Sequence, residues 1–240
     1  MEPLSQFVQF PYAGSERPAY LARPEGTGPF PAVVVIHEIY GLNENIKDIA
    51  RRLAREGYVA LAVDLFAQSN RAVCMMQLMT GTFLRPLRTG ALTEAGAALS
   101  YLAAREEVDG ERIGAIGFCM GGGIAIAWAC TDHRLKAIAP YYGTNPRPLE
   151  ALARSCPVVG SYPGHDFTAR SGRKLDRALD GYGVAHDITI YPDTRHSFFN
   201  DEGKTYDAAA SADSWRRVLA FFGERLDQDV SLGSGDTASD

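Results

Sequence analysis

Apolar positions along the chain recur with two spacings. Ala32-Val33-Val34-Val35-Ile36 is an unbroken, largely β-branched run, the pattern of a strand buried on both faces. The same reading gives strands over Tyr58–Val63, Arg112–Gly117, Leu135–Ala139, Val158–Tyr162 and Ala185–Tyr191. Between them the spacing turns helical. Ile46, Ile49, Ala50 and Leu53 mark one face of a helix from Glu44 to Glu56, capped by Asn43 and ended by Gly57. Further helices are predicted over Thr93–Arg105, Gly121–Cys130, Thr168–Leu179 and Tyr206–Leu226. Two short strands, Phe7–Pro11 and Ala19–Arg23, precede this series, joined by a polar turn. The stretch Gln68–Thr89, with its Met-rich patch, Gly81 and Pro86, reads as an irregular or short-helical excursion. Alternating strands and helices imply the α/β class, a mostly parallel sheet with helices on both faces. One domain over 1–226 is expected, followed at 227–240 by an acidic, aromatic-free tail with the composition of a disordered terminus.

Composition narrows the class of partner. The 240 residues are 46% hydrophobic and 22% charged, ordinary globular values, and carry a net charge of −5. An acidic surface is a poor match for nucleic acid. Ile113–Cys130 runs 18 residues without a formal charge, the length at which a membrane span is considered, but five of them are glycine, three consecutive. That run reads as strand, tight turn and buried helix, so no membrane partner is expected. The four cysteines, Cys74, Cys119, Cys130 and Cys156, form no C-x-x-C pair and no zinc-like spacing with histidine. With no signal peptide at the N-terminus, reduced thiols in the cytoplasm, no metal and no cofactor are the expectation.

Chemistry concentrates at Gly117-Phe118-Cys119-Met120-Gly121, between a predicted strand and a predicted helix. A strand that feeds straight into a helix turns so sharply that the turning residue is strained, and glycine at −2 and +2 removes the collisions. The turning side chain is lifted clear of the sheet, above a helix N-terminus whose N–H groups and dipole favour thiolate over thiol. A buried structural cysteine is the plain alternative; a phosphate loop is not, since neither G-x-G-x-x-G nor a following lysine is present. Asp166 follows the strand Val158–Tyr162 and His196 follows the strand ending at Tyr191, giving the order nucleophile, acid, histidine. Asp193 is a rival acid on the histidine's own loop. His133 reads as exposed, His186 as the start of a strand and His165 as a loop residue.

The segments His37-Glu38-Ile39-Tyr40-Gly41-Leu42-Asn43, Val63-Asp64-Leu65-Phe66, Gly117–Gly122, Tyr141-Tyr142-Gly143, Gly164-His165-Asp166 and His196-Ser197-Phe198-Phe199-Asn200 resemble, in order, the dienelactone hydrolase (carboxymethylenebutenolidase) family. The resemblance runs from about Ala32 to the last helix and implies an α/β-hydrolase fold. By it Cys119 is the nucleophile, His196 the general base and acid, and Asp166 the orienting carboxylate. Glu38 is the extra carboxylate that holds the resting thiol and takes part in its activation, and the backbone N–H groups of Ile39 and Met120 form the oxyanion hole. The sequence departs from the best-known members at Asn200, where they carry an arginine for the substrate carboxylate. A second substrate arginine has candidates in Arg71, Arg85 and Arg88, and Phe198 is a candidate substrate contact.

Proton affinities bear on the roles. From a thiol (pKa ~8.5) to a carboxylate (~4.3) a proton moves uphill by about 6 kcal/mol, and to imidazole (~6.5) by about 3 kcal/mol. His196 is the easier base, and Glu38 serves only if burial raises its pKa. Thiolate also leaves more readily than alkoxide, so turnover favours enol or aryl esters and lactones over alkyl esters. The expected partner is a small-molecule ester or lactone, and the expected state a monomer or small homo-oligomer. Two other classes compete: a non-catalytic small-ligand-binding protein of the same fold, and a thiol redox sensor built on Cys119.

Overall fold

The computed structural model describes residues 2–67 and 87–226. Its elements in chain order are β1 (Leu4–Tyr12), β2 (Ser15–Arg23), β3 (Phe30–Ile36), α1 (Glu44–Arg55), β4 (Val59–Val63), α2 (Gly90–Ala103), β5 (Val108–Phe118), α3 (Met120–Ala129), β6 (Leu135–Tyr141), a short 3-10 helix (Leu149–Arg154), β7 (Val158–Pro163), α4 (Thr168–Tyr182), β8 (His186–Tyr191) and α5 (Ala208–Leu226). The strands form one eight-stranded sheet in the order β1-β2-β4-β3-β5-β6-β7-β8. β1 and β2 are an antiparallel hairpin, β2 meets β4 antiparallel, and the pairs from β4 through β8 are parallel.

The run that opened the sequence reading shows why both faces are covered. Along β3, Ala32, Val34 and Ile36 enter one half of the core while Val33 and Val35 enter the other, and all five are fully buried. α2, α3 and α4 pack on the first face, and α1 and α5 on the second. Asn43 caps α1 as expected, its side chain accepting from the Ile46 N–H at 3.1 Å. Among the sequence boundaries, β2 and β5 each begin four residues before their predicted starts, at Ser15 and Val108, and α2 begins at Gly90 rather than Thr93. Glycine is a poor helix former and concealed the start; here Thr93 Oγ1 donates to Gly90 O at 2.9 Å. The excursion read over Gln68–Thr89 falls mostly outside the described residues, and with it Arg71, Cys74 and Arg85.

Chain order reverses direction across the sheet between β3 and β5: β4 lies on one side of β3, and β5 and its successors on the other. A crevice opens at such a switch point, beyond the carboxyl ends of the strands. Glu38 follows the end of β3 and Cys119 the end of β5, so the two flank it.

Candidate active site

Cys119 is the N-cap of α3, with φ 54° and ψ −113°, a backbone conformation that side chains rarely adopt. The flanking glycines are required by contact. A Cβ on Gly117 would collide with the Gly121 carbonyl, and one on Gly121 with the Ile36 carbonyl. The strained turn is held from below, Cys119 N–H donating to Tyr141 O at 3.0 Å and Gly123 N–H to Cys119 O at 3.2 Å. Cys119 is partly exposed and borders both halves of the core.

Asp166 and His196 come from adjacent strand ends, β7 and β8, and their loops are stitched together. Gly164 N–H donates to Tyr191 O at 2.7 Å and His165 N–H to Thr194 O at 3.0 Å. One Asp166 oxygen accepts the Thr168 N–H at 2.6 Å and the other pairs with His196 Nδ1. An ionised carboxylate only accepts, so Nδ1 carries the ring hydrogen and Nε2 is left as the basic nitrogen. The Asp166 side chain is 4% exposed and that of His196 is 31% exposed, an arrangement with a buried orienter and an accessible base. Asp193, the rival acid, is exposed on the histidine loop. The imidazole lies between the Tyr142 ring at 4.9 Å and the Phe167 ring, stacked at 5.8 Å and itself 73% exposed.

Glu38 is 3% exposed. Its Oε1 accepts from Tyr142 O–H at 2.9 Å and Ser197 O–H at 3.0 Å, while Oε2 is buried without a hydrogen-bond partner among the described residues. Both hydroxyl donors have left-handed backbones, φ 41° at Tyr142 and φ 59° at Ser197. Among the described residues, three of the four non-glycine positions with positive φ are therefore at this site, the other being Ala13. Sequence reading did not single out Tyr142 and Ser197 as partners of Glu38; spacing carries no signal for a hydroxyl that reaches across the chain.

Burial raises the Glu38 pKa, against the lowering effect of Tyr142, Ser197, the His196 charge and the Asn200 amide. The raised carboxyl is the condition under which Glu38 serves as a proton acceptor. The thiol departs from expectation. Burial, then the Glu38 and Asp166 charges, push Cys119 up to about 11, outweighing the Met120 N–H that favours thiolate. The helix end is present, but two carboxylates and a low-dielectric setting dominate it, so the resting sulfur is a thiol.

The remaining candidates are dispersed. Phe198 is fully buried and packs against Tyr141, Tyr142 and Tyr191; it supports the histidine loop from the core side. Arg88 lines an open groove of about 720 Å³ with Leu87, Thr93, Trp128 and Arg134. Asn200 is buried, its backbone N–H donating to Ser197 O at 3.0 Å. Among the described residues no cation forms an ion pair with Glu38, and no cluster of His, Cys, Asp and Glu has the arrangement of a metal site.

The model of the dienelactone hydrolase family matches residues 18–226. A Saccharolobus solfataricus protein, whose name places it with the carboxymethylenebutenolidases, is 36% identical over 244 aligned positions, covering 87% of this chain and 94% of its own. An Escherichia coli protein of the same name is 34% identical, covering 90% and 85%. Among solved structures, a dienelactone hydrolase-like promiscuous phosphotriesterase from metagenomic libraries aligns with a TM-score of 0.82 at 27% identity, over 94% of this chain and all of that one. An acylaminoacyl peptidase of Pyrococcus horikoshii, at 15% identity and a TM-score of 0.73, covers all of this chain and 43% of its own; it shares the fold alone.

Proposed function

The chain belongs to the dienelactone hydrolase family, hydrolases of esters and lactones with the α/β-hydrolase fold, and on that premise we propose that it cleaves an ester or enol-lactone bond of a small molecule through a thioester on Cys119. One observation carries the reading: a sulfur on a strained strand-to-helix turn, a histidine oriented by a buried aspartate and a buried carboxylate with raised pKa all sit at the carboxyl ends of the parallel strands of one sheet.

The thiol rests neutral. A substrate carbonyl enters above the switch point with its oxygen toward the backbone N–H groups of Ile39 and Met120. The thiol proton passes to His196 Nε2, directly or by way of Glu38, as sulfur adds to the carbonyl carbon, and the oxyanion is held by the two N–H groups. Collapse expels the alcohol or enol oxygen, which takes a proton from His196. Water, deprotonated at Nε2, then cleaves the thioester, and the carboxylic acid and free thiol are released. Asp166 holds the ring in the required tautomer throughout. No step draws on a metal or cofactor.

An aryl or enol ester with a coloured leaving group tests the scheme. Rapid mixing is expected to give a burst of leaving group, with an acyl adduct on Cys119 by mass spectrometry, and the ethyl ester of the same acid to turn over far more slowly. Equal rates on the two esters would refute the thioester route. Binding of the ester without turnover would favour the ligand-binding reading, and a peroxide-induced Cys119–Cys74 linkage the redox sensor.

A further inference from the structure

His37 takes no part in the proton transfers above, yet it is fully buried just past β3 and both ring nitrogens are engaged. Leu65 N–H donates to Nε2 at 3.0 Å, so Nε2 is an acceptor and the ring hydrogen resides on Nδ1. Nδ1 therefore donates to the Glu38 carbonyl oxygen, 2.6 Å away. That oxygen also receives the Gly41 N–H at 3.1 Å. The Phe66 ring lies 4.7 Å from the imidazole and braces it. The Glu38 carbonyl and the Ile39 N–H are two ends of one planar peptide, so a grip on the oxygen sets the direction of the hydrogen.

We propose that His37 is a positioning residue for the acyl-transfer step, its Nδ1–H orienting and polarising the Glu38–Ile39 peptide so that Ile39 presents a better-aimed, more acidic N–H to the oxyanion. The proposal rests on the reading of Ile39 as an oxyanion donor. Hydrogen bonds in series polarise one another, and donors of this kind act as charge develops on the carbonyl oxygen.

Two substitutions separate this role from a structural tie between β3 and β4. Asparagine places an amide nitrogen near the Nδ1 position, and glutamine places its amide near Nε2. H37Q thus keeps the link to Leu65 and loses the donor on Glu38, while H37N does the reverse. Both are assayed in the full chain with an aryl ester, beside alkylation of Cys119 by iodoacetamide, a displacement that forms no oxyanion. The expected result is a roughly tenfold fall in kcat for H37Q, with KM and alkylation unchanged, and recovery of most of that loss in H37N. The reverse order, or kcat and alkylation falling together, overturns the proposal. If neither variant folds, the unmutated chain decides by NMR. The His37 Nδ1 proton is expected to move downfield when a trifluoromethyl ketone adds to Cys119, and a stationary signal overturns the role. Cys119→Ala is run alongside. Retained turnover there overturns the thioester reading and this role together; lost turnover with an unaffected H37Q overturns the role alone.

Discussion

Cys119 and Cys130 stand at opposite ends of the same helix, one as its N-cap and the other as its C-cap. Burial raises both thiols, to about 11 and about 12. Acidity therefore does not distinguish them; geometry and neighbours do. Cys130 has an ordinary helical backbone, φ −77°, and donates its S–H to Ile126 O at 3.2 Å, so its hydrogen is already placed and its surroundings are closed. Cys119 has a strained backbone, partial exposure, and the charges of Glu38 and Asp166 acting on it. A low resting pKa is one way to make a cysteine a nucleophile. A neutral thiol beside a carboxyl group able to take its proton when a carbonyl arrives is another, and it leaves the sulfur less open to stray electrophiles between turnovers.

The largest expected effect breaks this contrast outright. Cys119→Ala should lower ester turnover by at least about 10³-fold, while Cys130→Ala leaves it within about twofold, both followed by leaving-group release. Asp166→Asn comes next. It spoils the tautomer of His196 and should lower kcat by about 10²- to 10⁴-fold with little change in KM. Glu38→Gln sharpens the contrast from the electrostatic side. Removing a negative charge beside Cys119 lowers that thiol's pKa, so iodoacetamide alkylation of Cys119 at pH 8 should accelerate several-fold while turnover falls and Cys130 is unaffected. The smallest effect lies with Cys130 and stability. Its folded pKa is raised, so the unfolded chain loses that proton first as pH climbs above ~8.5. Stability is then lost progressively toward pH 12, and Cys130→Ala should flatten the decline by about 1–2 kcal/mol at pH 10 in urea titrations.

Much of the frame was legible because it depends on local chemistry. Gly117 is demanded by backbone contact with Gly121 and Gly122, within the same tight turn, and the β-branched run of β3 by burial on both faces, so both leave a trace in the sequence. Asp166 could be preferred over Asp193 because it ends its own strand, and the structure pairs Asp166 with His196. What escaped was tertiary. Tyr142 and Ser197 meet Glu38 from 104 and 159 residues away, through side chains whose identity alone suggests nothing. The thiol's direction of shift also escaped, since it comes from burial and two carboxylates that meet only once β3, β5 and β7 are assembled in one sheet. Phe198 was read as a candidate substrate contact, but its ring is fully buried against Tyr141, Tyr142 and Tyr191.

Every residue of the helix that carries Cys119 is buried, from Met120 to Ala129. Such a segment has no slack side on which to shift, and the sulfur is thereby the fixed point of the site. Accommodation of acyl groups of different shape falls to its surroundings, to the loops that hold Phe167 and Tyr40, whose rings are 73% and 55% exposed. Changes of substrate range under selection should accumulate in those rings long before any reaches the helix.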